Sequence, residues 1–286
     1  MDQKPTVFNT KVLPQPAAKA RVKSFQAAHP ETFAQPAEAI TYLRYIFTDA
    51  QGLWCFRTNG KTGTTSTLFF LFHLTFGIPL KAVVRDENSI NEDQAGHSLH
   101  KARVFSSVCD CGTELDFGSY LARALRLTTV RHPFTRALSG FIYLCRAHDM
   151  KSDRFLTERL RMCALTQFDW DKHAYTVEGF ERFLTYLEQD LAHHATRPVD
   201  SHFRPQVLNI LPDVFCPDLI GRCEDLPTFF ANIAARLDRP APQGALEAKP
   251  RNTQQISDRA IFDTPDTRRR VGHIFAADFL AFGYDQ

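Results

Sequence analysis

The feature that most constrains the fold is a loop rich in glycine, lysine and hydroxyl residues, Gly60-Lys61-Thr62-Gly63-Thr64-Thr65-Ser66. It follows the apolar run 53–56, which predicts a strand, and precedes the apolar run 68–72, which predicts a buried helix. Glycines allow backbone N–H groups to point at an anion, and a helix N-terminus adds about half a positive charge. The loop therefore predicts a phosphate-type site, with Lys61 as a mobile cation and the threonine and serine hydroxyls as donors.

The rest of the chain alternates strand-like and helix-like segments. Further strands are predicted at residues 82–84, 125–130 and 215–220. Helices are predicted at residues 37–47, 133–146, 153–165, 177–191, 226–237 and 266–282. This alternation predicts a P-loop-like, three-layer α/β/α fold with a central, mostly parallel sheet. Ligands of such sheets bind where the carboxyl ends of strands meet the N-termini of helices.

The first 40 residues differ in composition from the rest of the chain. Five prolines at irregular spacing lie among alanine, glutamine and lysine, which argues against a long helix. We therefore expect an extended or partly ordered arm over residues 1–40, followed by one domain over residues 41–286. A chain of 286 residues is long enough for one large domain.

Charge and cysteine content exclude several classes of protein. The 34 Lys and Arg residues nearly balance the 32 Asp and Glu residues, so a nucleic-acid partner is not expected, although a local basic pocket is compatible with a net charge of +2. Seven scattered cysteines predict free thiols, and the spacing of Cys109 and Cys111 does not suit a zinc site, so no metal is expected. The first 24 residues contain no apolar signal segment, and the longest apolar run, 68–74, is far below the ~20 residues that span a bilayer. We expect a cytoplasmic protein, and peripheral membrane association stays open.

A second segment with anion-binding residues begins where the strand predicted at 125–130 ends, and reads Val130-Arg131-His132-Pro133-Phe134-Thr135-Arg136-Ala137-Leu138-Ser139-Gly140-Phe141. Arg131 at a strand end can hold a phosphate with two donors. Ser139 lies about two helical turns further on and can project from the following helix. A structural ion pair is the favoured interpretation for Arg136 but not for Arg131.

Both segments resemble the donor-binding motifs of sulfotransferases. Residues 61–66 are similar to the 5′-phosphosulfate loop of that family, with Gly60 in place of the usual proline. Residues 130–141 are similar to its 3′-phosphate motif, with His132 in place of the common aspartate. The resemblance implies 3′-phosphoadenylyl sulfate (PAPS) as co-substrate, bound by Lys61, Thr62, Gly63, Thr64, Thr65 and Ser66 at its 5′ end. It implies that Arg131 and Ser139 hold the 3′-phosphate.

A third segment narrows the resemblance. Asp200-Ser201-His202-Phe203-Arg204-Pro205-Gln206 is similar to a signature of the carbohydrate sulfotransferases that act on chondroitin, dermatan and the HNK-1 glycan. Residues 219–226 and 278–284 are also similar to that branch, so the resemblance runs from about residue 54 to residue 284. It implies transfer of a sulfuryl group to a hydroxyl of an oligo- or polysaccharide. The membrane anchor and lumenal disulfides of the animal enzymes are not seen, so a soluble, bacterial-type relative is expected.

The acceptor hydroxyl must lose a proton, and histidine is the ready base near neutral pH. His202, His97 and His100 are the candidates. Glu224 is a further carboxylate candidate, although pairing with Arg222 or Arg204 is the favoured interpretation. Lys61 is expected to stabilise the leaving phosphate.

The role of Arg204 and two other functions stay open. Arg204 suits an acidic glycan, the donor or a structural salt bridge equally well. A P-loop kinase of small molecules is one alternative, because Gly60-Lys61-Thr62 matches the end of the ATP-binding loop. Cys55 stands where that loop needs its first glycine, however, and no strand ends in an aspartate that would organise magnesium. A catalytically silent relative that binds nucleotide or glycan is the other alternative.

Overall fold

The computed structural model describes residues 14–82, 90, 94–110, 116–192, 199–242, 244 and 260–286. Their centre is a five-stranded open sheet in the spatial order β3-β1-β2-β4-β5. The strands are β1 (Ile46–Thr48), β2 (Trp54–Arg57), β3 (Ser106–Ser107), β4 (Leu125–Val130) and β5 (Leu219–Arg222). Strands β2, β4 and β5 are parallel, whereas β1 runs antiparallel to β2 and to β3. The predicted α/β class with a mostly parallel centre is confirmed.

Helices surround this sheet. Within the described ranges they are α1 (Gln15–Ala28), α2 (Pro36–Arg44), α3 (Thr64–Phe76), α4 (Ala95–Ser98), α5 (Phe117–Arg123), α6 (Pro133–Asp149), α7 (Leu156–Thr166), α8 (Trp170–His173), α9 (Val177–Ala192), α10 (Gln206–Ile210), α11 (Pro212–Phe215), α12 (Leu226–Arg236), α13 (Pro265–Ile274) and α14 (Ala276–Phe282). None of these helices is long and apolar enough to cross a membrane.

The alternation of side chains along β2 explains the layers. Successive residues of a strand point to opposite faces of the sheet. Trp54 and Phe56 accordingly join the apolar cluster formed with α3 and α12, in which Phe70 and Phe230 stack at 4.2 Å. Cys55 instead joins the cluster formed with α1, α2 and α5 on the other face. Both faces of the sheet are therefore covered, as the three-layer prediction requires.

A third apolar cluster fixes the position of α6, which carries the second predicted motif. Phe141 of α6 lies within 5.7 Å of the rings of Phe180 and Phe183 of α9, measured between ring centres. All three side chains are fully buried, and each such burial contributes ~1.5–3 kcal/mol. The start of α6 is thus held rigidly beside the end of β4.

The expectation of an extended N-terminal arm is wrong for α1. Pro16 lies in the first turn of this helix, where a missing N–H breaks no intrahelical hydrogen bond, and Pro30 follows its end. Val22 and Phe25 are buried, and Phe25 stacks on Tyr42 of α2 at 6.5 Å. The domain boundary at residue 40 stays a prediction.

Three further predictions differ from the observed elements. Phe215 ends α11 and does not begin a strand, because Cys216 has a left-handed backbone (φ 48°) that breaks the chain direction before β5. The helix predicted at 266–282 is interrupted at Phe275, whose side chain is buried between α13 and α14. Of the strand predicted at 82–84, Ala82 is irregular, and residues 83–84 lie outside the described residues.

Candidate active site

The carboxyl ends of β2 and β4 open into one cleft of about 2020 Å³. The predicted site residues that line it are Lys61, Gly63, Thr64, Thr65, Ser66, His97, His100, Arg131, Ser139, His202 and Arg204. Of the predicted set, Thr62 is not part of the lining and is fully buried. The fold therefore brings together residues that are up to 143 positions apart in the chain.

Hydroxyl groups fix the shape of the loop between β2 and α3. The hydroxyls of Thr62 and Thr64 both donate to the main-chain oxygen of Asn59, each at 2.8 Å, and Thr62 Oγ1 also lies 2.9 Å from Thr129 Oγ1. Gly63 precedes α3 with a left-handed backbone (φ 85°), a conformation that favours glycine. The buried side chain of Thr62 thus builds the loop from within, whereas Thr64, Thr65 and Ser66 line the cleft.

The ammonium group of Lys61 lies inside the cleft. Its Nζ atom is 3.9 Å from the centre of the Tyr143 ring, a cation–π contact that orients the side chain without neutralising its charge. Lys61 itself has a left-handed backbone (φ 67°), which turns the loop over the start of α3. A cation placed in this way can contact an anion held at the helix N-terminus.

Arg131 and Ser139 lie at the same end of the sheet as the loop. Arg131 donates from Nε to Thr135 Oγ1 at 3.0 Å and from Nη1 to the main-chain oxygen of Lys61 at 3.4 Å. Ser139 is buried in α6 and also lines the cleft. The two segments that the sequence predicts to bind anions, the loop after β2 and the start of α6, are therefore adjacent.

Arg136 has a structural role, as expected, but it does not form the expected ion pair. Its side chain is buried and binds main-chain oxygens. Its guanidinium donates to the carbonyl oxygens of Gly60 at 2.9 Å, Ser201 at 2.9 Å and Arg204 at 2.8 Å. Burial lowers the pKa of Arg136 to about 10, which still leaves it charged at neutral pH. It ties the loop after β2 to the segment that contains His202.

His202 and Asp200 form a hydrogen-bonded pair at the cleft. The Nδ1 atom of His202 lies 2.7 Å from Asp200 Oδ1, and the same oxygen accepts from the main-chain N–H of His202 at 2.8 Å. Burial alone would raise the pKa of Asp200, but the hydrogen bonds from His202 lower it to about 2. Burial lowers the pKa of His202, and the nearby Asp200 opposes this effect. At neutral pH the pair is a carboxylate and a neutral imidazole that donates from Nδ1, which leaves Nε2 as the basic nitrogen.

The other candidate bases have different surroundings. His97 Nε2 lies 3.1 Å from the hydroxyl of Thr65 in the loop. His100 packs on Phe47 with ring centres 5.4 Å apart, and burial lowers the pKa of His100. Both histidines line the cleft, but their contacts differ from the carboxylate-supported arrangement of His202.

Glu224 fastens the C-terminal segment to the start of α6. Its carboxylate accepts from the main-chain N–H of His132 at 2.9 Å and from the hydroxyl of Tyr284 at 3.0 Å. Glu224 was expected to pair with Arg222 or Arg204, but both arginines have other partners. Arg222 donates to the carbonyl oxygens of Phe282 and Gly283. Arg204 donates from Nε to Oδ1 of Asn209.

A buried polar cluster connects these parts, and the sequence analysis missed it. It consists of Asn59, Gln206, Asn209 and Asp278. Gln206 accepts from the main-chain N–H of Arg131 at 2.9 Å and donates to its oxygen at 2.9 Å, so it holds the end of β4 on both sides. Asn59 donates to Gln206 Oε1 at 3.1 Å and accepts from Asn209 at 2.9 Å.

Asp278 supports this cluster from α14. It accepts from the main-chain N–H groups of Gln206 at 2.8 Å and Val207 at 2.9 Å, at the start of α10. Burial raises the pKa of Asp278, while Arg136 opposes this effect. Gln206 and Asp278 both lie in quoted motifs, and the signal that could have revealed them is a polar residue in an otherwise buried segment.

Within the part of the chain that the structure describes, no group of three or more His, Cys, Asp and Glu side chains could hold a metal ion. Among the described residues, Cys109, Cys145, Cys163, Cys216 and Cys223 are free thiols.

Comparison with known proteins gives one match that covers most of the chain. Searches among curated proteins and among solved structures found no match. The model of a family described as "Sulfotransferase family" matches residues 59–285, which include the loop after β2, the start of α6 and the Asp200–His202 pair. The match covers well over half of the 286 residues. The chain therefore belongs to the sulfotransferase family.

Proposed function

We propose that this sulfotransferase transfers the sulfuryl group of PAPS to a hydroxyl group of a carbohydrate. One observation carries the proposal: Lys61, Arg131, Ser139 and His202 all line a single cleft at the carboxyl ends of β2 and β4. Sulfuryl transfer needs a stabilised leaving phosphate, in-line positioning and a base for the acceptor. Each of these needs has a candidate residue in the cleft.

The donor would lie across the two adjacent anion-binding segments. Lys61, the hydroxyls of Thr65 and Ser66, and the N-terminal N–H groups of α3 suit the 5′-phosphosulfate. Arg131 and Ser139 suit the 3′-phosphate that distinguishes PAPS from ATP. The 3.4 Å contact between Arg131 Nη1 and the oxygen of Lys61 supports a single ligand that reaches both segments.

His202 is the base that the contacts favour. Its Nε2 atom would accept the proton of the acceptor hydroxyl while the acceptor oxygen bonds to sulfur and the bond from sulfur to the 5′-phosphate oxygen breaks. The carboxylate of Asp200, 2.7 Å from Nδ1, would stabilise the imidazolium that forms. His97 and His100 stay alternatives, because both line the same cleft.

The size of the cleft supports a carbohydrate acceptor. Pockets for single small molecules have volumes of ~300–1,000 Å³. A cleft of about 2020 Å³ can accommodate a nucleotide donor together with an oligosaccharide. Arg204 lies in its wall and suits an acidic group of the acceptor.

The alternative of a small-molecule kinase is less favoured. Cys55, which replaces the first glycine of the ATP-binding loop, lies buried within β2, so the chain is still extended where that loop would begin to wrap around phosphates. A silent relative is also less favoured, because the Asp200–His202 pair and Lys61 offer catalytic groups beside the anion-binding segments.

Two measurements test the proposal. We expect 3′-phosphoadenosine 5′-phosphate (PAP) to raise the melting temperature more than ATP does, and radiolabelled PAPS to transfer sulfate to at least one glycan of a panel. Lys61→Ala should reduce transfer at least a hundredfold, as loss of a donor to developing charge does, with an unchanged melting temperature. Lys23→Ala, on the exposed side of α1, is the matched control and should remain active. A preference for ATP, or a fully active Lys61→Ala variant, would refute the proposal.

A further inference from the structure

The cleft extends beyond the proposed donor and base sites to a wall formed by the end of α2 and by α10. Tyr45, at the end of α2, and Leu208, in α10, both line it. Tyr45 is 51% exposed and Leu208 is 45% exposed, although both are large apolar side chains. Exposed apolar groups that share one cleft indicate a surface for a ligand or partner more strongly than single ones elsewhere do.

The backbone of Tyr45 is fixed in place. Its carbonyl oxygen accepts two hydrogen bonds from Thr58, one from the main-chain N–H and one from the hydroxyl, both at 3.1 Å. Thr58 directly follows β2, so the position of Tyr45 is tied to the central sheet. A ring on such a backbone can bind a ligand without a large loss of conformational freedom.

Leu208 is fixed relative to Tyr45 through α2 and α10. The hydroxyl of Tyr42 in α2 donates to the carbonyl oxygen of Ile210 at 2.8 Å. The buried guanidinium of Arg57 donates to the carbonyl oxygens of Asn209 at 2.7 Å and Tyr42 at 3.1 Å. The two helices that carry the exposed side chains therefore form one rigid wall.

Arg204 connects this wall with the Asp200–His202 pair. The main-chain N–H of Arg204 donates to the carbonyl oxygen of Asp200 at 3.1 Å, and both residues line the cleft. Arg204 and Asn209 are also joined by a hydrogen bond. Arg204 therefore links the segment of the proposed base to α10, the helix that carries Leu208.

We propose that Tyr45 and Leu208 form an acceptor platform on which a sugar ring stacks next to the sugar that is sulfated. This inference rests on the proposed function, and it adds the side chains that would hold the neighbouring sugar unit of the acceptor. Pyranose rings present a face of C–H groups that packs on an aromatic or aliphatic side chain, while their hydroxyls remain hydrated at the edge. Tyrosine suits such a ligand because it combines an apolar ring with a polar hydroxyl.

The position of the platform in the chain agrees with a role in acceptor choice. The family match begins at residue 59, so Tyr45 lies outside it and the donor segments lie inside it. The donor is common to sulfuryl transfer, whereas acceptors differ. Tyr45, which precedes the matched region, is therefore the residue of the wall that we expect to contribute most to acceptor choice.

The test compares glycans of different length on the full chain with PAP bound. A panel of oligosaccharides of two to six units, and their constituent monosaccharides, is titrated against the wild type, Tyr45→Ala and Tyr45→Phe by isothermal calorimetry. We expect at least one oligosaccharide to bind about tenfold more tightly than its monosaccharide, and Tyr45→Ala to remove that difference. Tyr45→Phe keeps the ring and should stay within about twofold of the wild type. Ile78→Ala, an exposed apolar side chain outside the cleft, is the control.

Four outcomes would overturn the platform. Equal binding of oligosaccharides and monosaccharides, or oligosaccharide binding that Tyr45→Ala leaves unchanged, would do so while sulfate transfer continues. Weaker PAP binding by Tyr45→Ala would mean that the ring contacts the adenine of the donor instead. Absence of binding to every glycan would overturn both the platform and the carbohydrate acceptor, whereas stabilisation by PAP measures donor binding separately.

Discussion

Replacement of Asp200 by asparagine separates the charge of the Asp200–His202 pair from its geometry. Asp200 Oδ1 accepts both from the main-chain N–H of His202, at 2.8 Å, and from Nδ1, at 2.7 Å. The amide oxygen of asparagine can take this position, because the main-chain N–H requires an acceptor there. His202 then still donates from Nδ1 and keeps Nε2 as the basic nitrogen, but the neighbouring negative charge is gone.

The expected change in the pKa of His202 follows from the lowered pKa of the Asp200 carboxyl group. Its contacts hold the pKa of Asp200 at about 2, against 3.8 for an ordinary aspartate, and one pKa unit corresponds to ~1.36 kcal/mol. The main-chain N–H of His202 accounts for part of this stabilisation of the carboxylate. Solvent also reaches the Asp200 side chain, which is 30% exposed, and weakens its interaction with the ring. About 1 kcal/mol therefore remains for the ring of His202, which corresponds to a change of roughly one unit in its pKa.

The assay is the pH dependence of kcat/KM for sulfate transfer. Asp200 favours the protonated imidazole, so its loss lowers the pKa of His202 further below the ordinary value. The acidic limb of the profile should move down by about one pH unit, and kcat should fall about tenfold because the imidazolium in the transition state loses its partner. Asp153→Asn, which removes another carboxylate of the cleft, should leave the limb in place. An unmoved acidic limb in Asp200→Asn would refute the assignment of His202 as the base.

Three further substitutions test other parts of the structure. Ser139→Ala should weaken PAP binding by about ten- to a hundredfold in calorimetric titration, the worth of a hydrogen bond to a charged group, and leave adenosine 5′-phosphosulfate, which lacks the 3′-phosphate, within twofold. Gly60→Ala places a Cβ atom 3.0 Å from the Cα atom of His202, so the melting temperature should fall by an amount that reflects a loss of ~1–3 kcal/mol, whereas Gly272→Ala meets nothing nearer than 3.6 Å and should not lower it. Phe25→Ala should reduce the free energy of unfolding in urea by ~3 kcal/mol, and an unchanged midpoint would show that α1 contributes nothing to stability.

The parts of the fold that the sequence predicted well are those with local signals. The segment at residues 60–66 connects β2 to α3 and includes the first three residues of α3, and the strand predicted at 125–130 matches β4 in full. Glycines and hydroxyl residues in the loop, and Pro133 in the first turn of α6, affect only the few residues around them. A short window of sequence is therefore enough to predict these elements. Prolines gave the wrong expectation for α1, because Pro16 lies in its first turn and Pro30 follows its end, so neither interrupts the helix.

The site was predicted less completely, because its supporting contacts join distant residues. Asn59, Gln206 and Asp278 meet only after the parallel strands and α14 are in place. Nothing local to any of the three indicates which partner it has. Likewise, Asp200 was quoted as part of a motif, but its contact with His202 depends on a turn that places residues 200 and 202 on the same side.

The placement of charge explains how a chain with a net charge of +2 can hold a polyanionic donor. Arg57 and Arg136 are buried near the cleft, and each donates to main-chain carbonyl oxygens. Arg204 donates to the amide oxygen of Asn209. Dipoles, unlike carboxylates, satisfy these guanidinium groups without adding a negative charge beside them, so their positive charge remains to attract an anion. An overall count of charges averages over exposed ion pairs such as Arg268 with Asp263, and therefore cannot reveal an anion site of this kind.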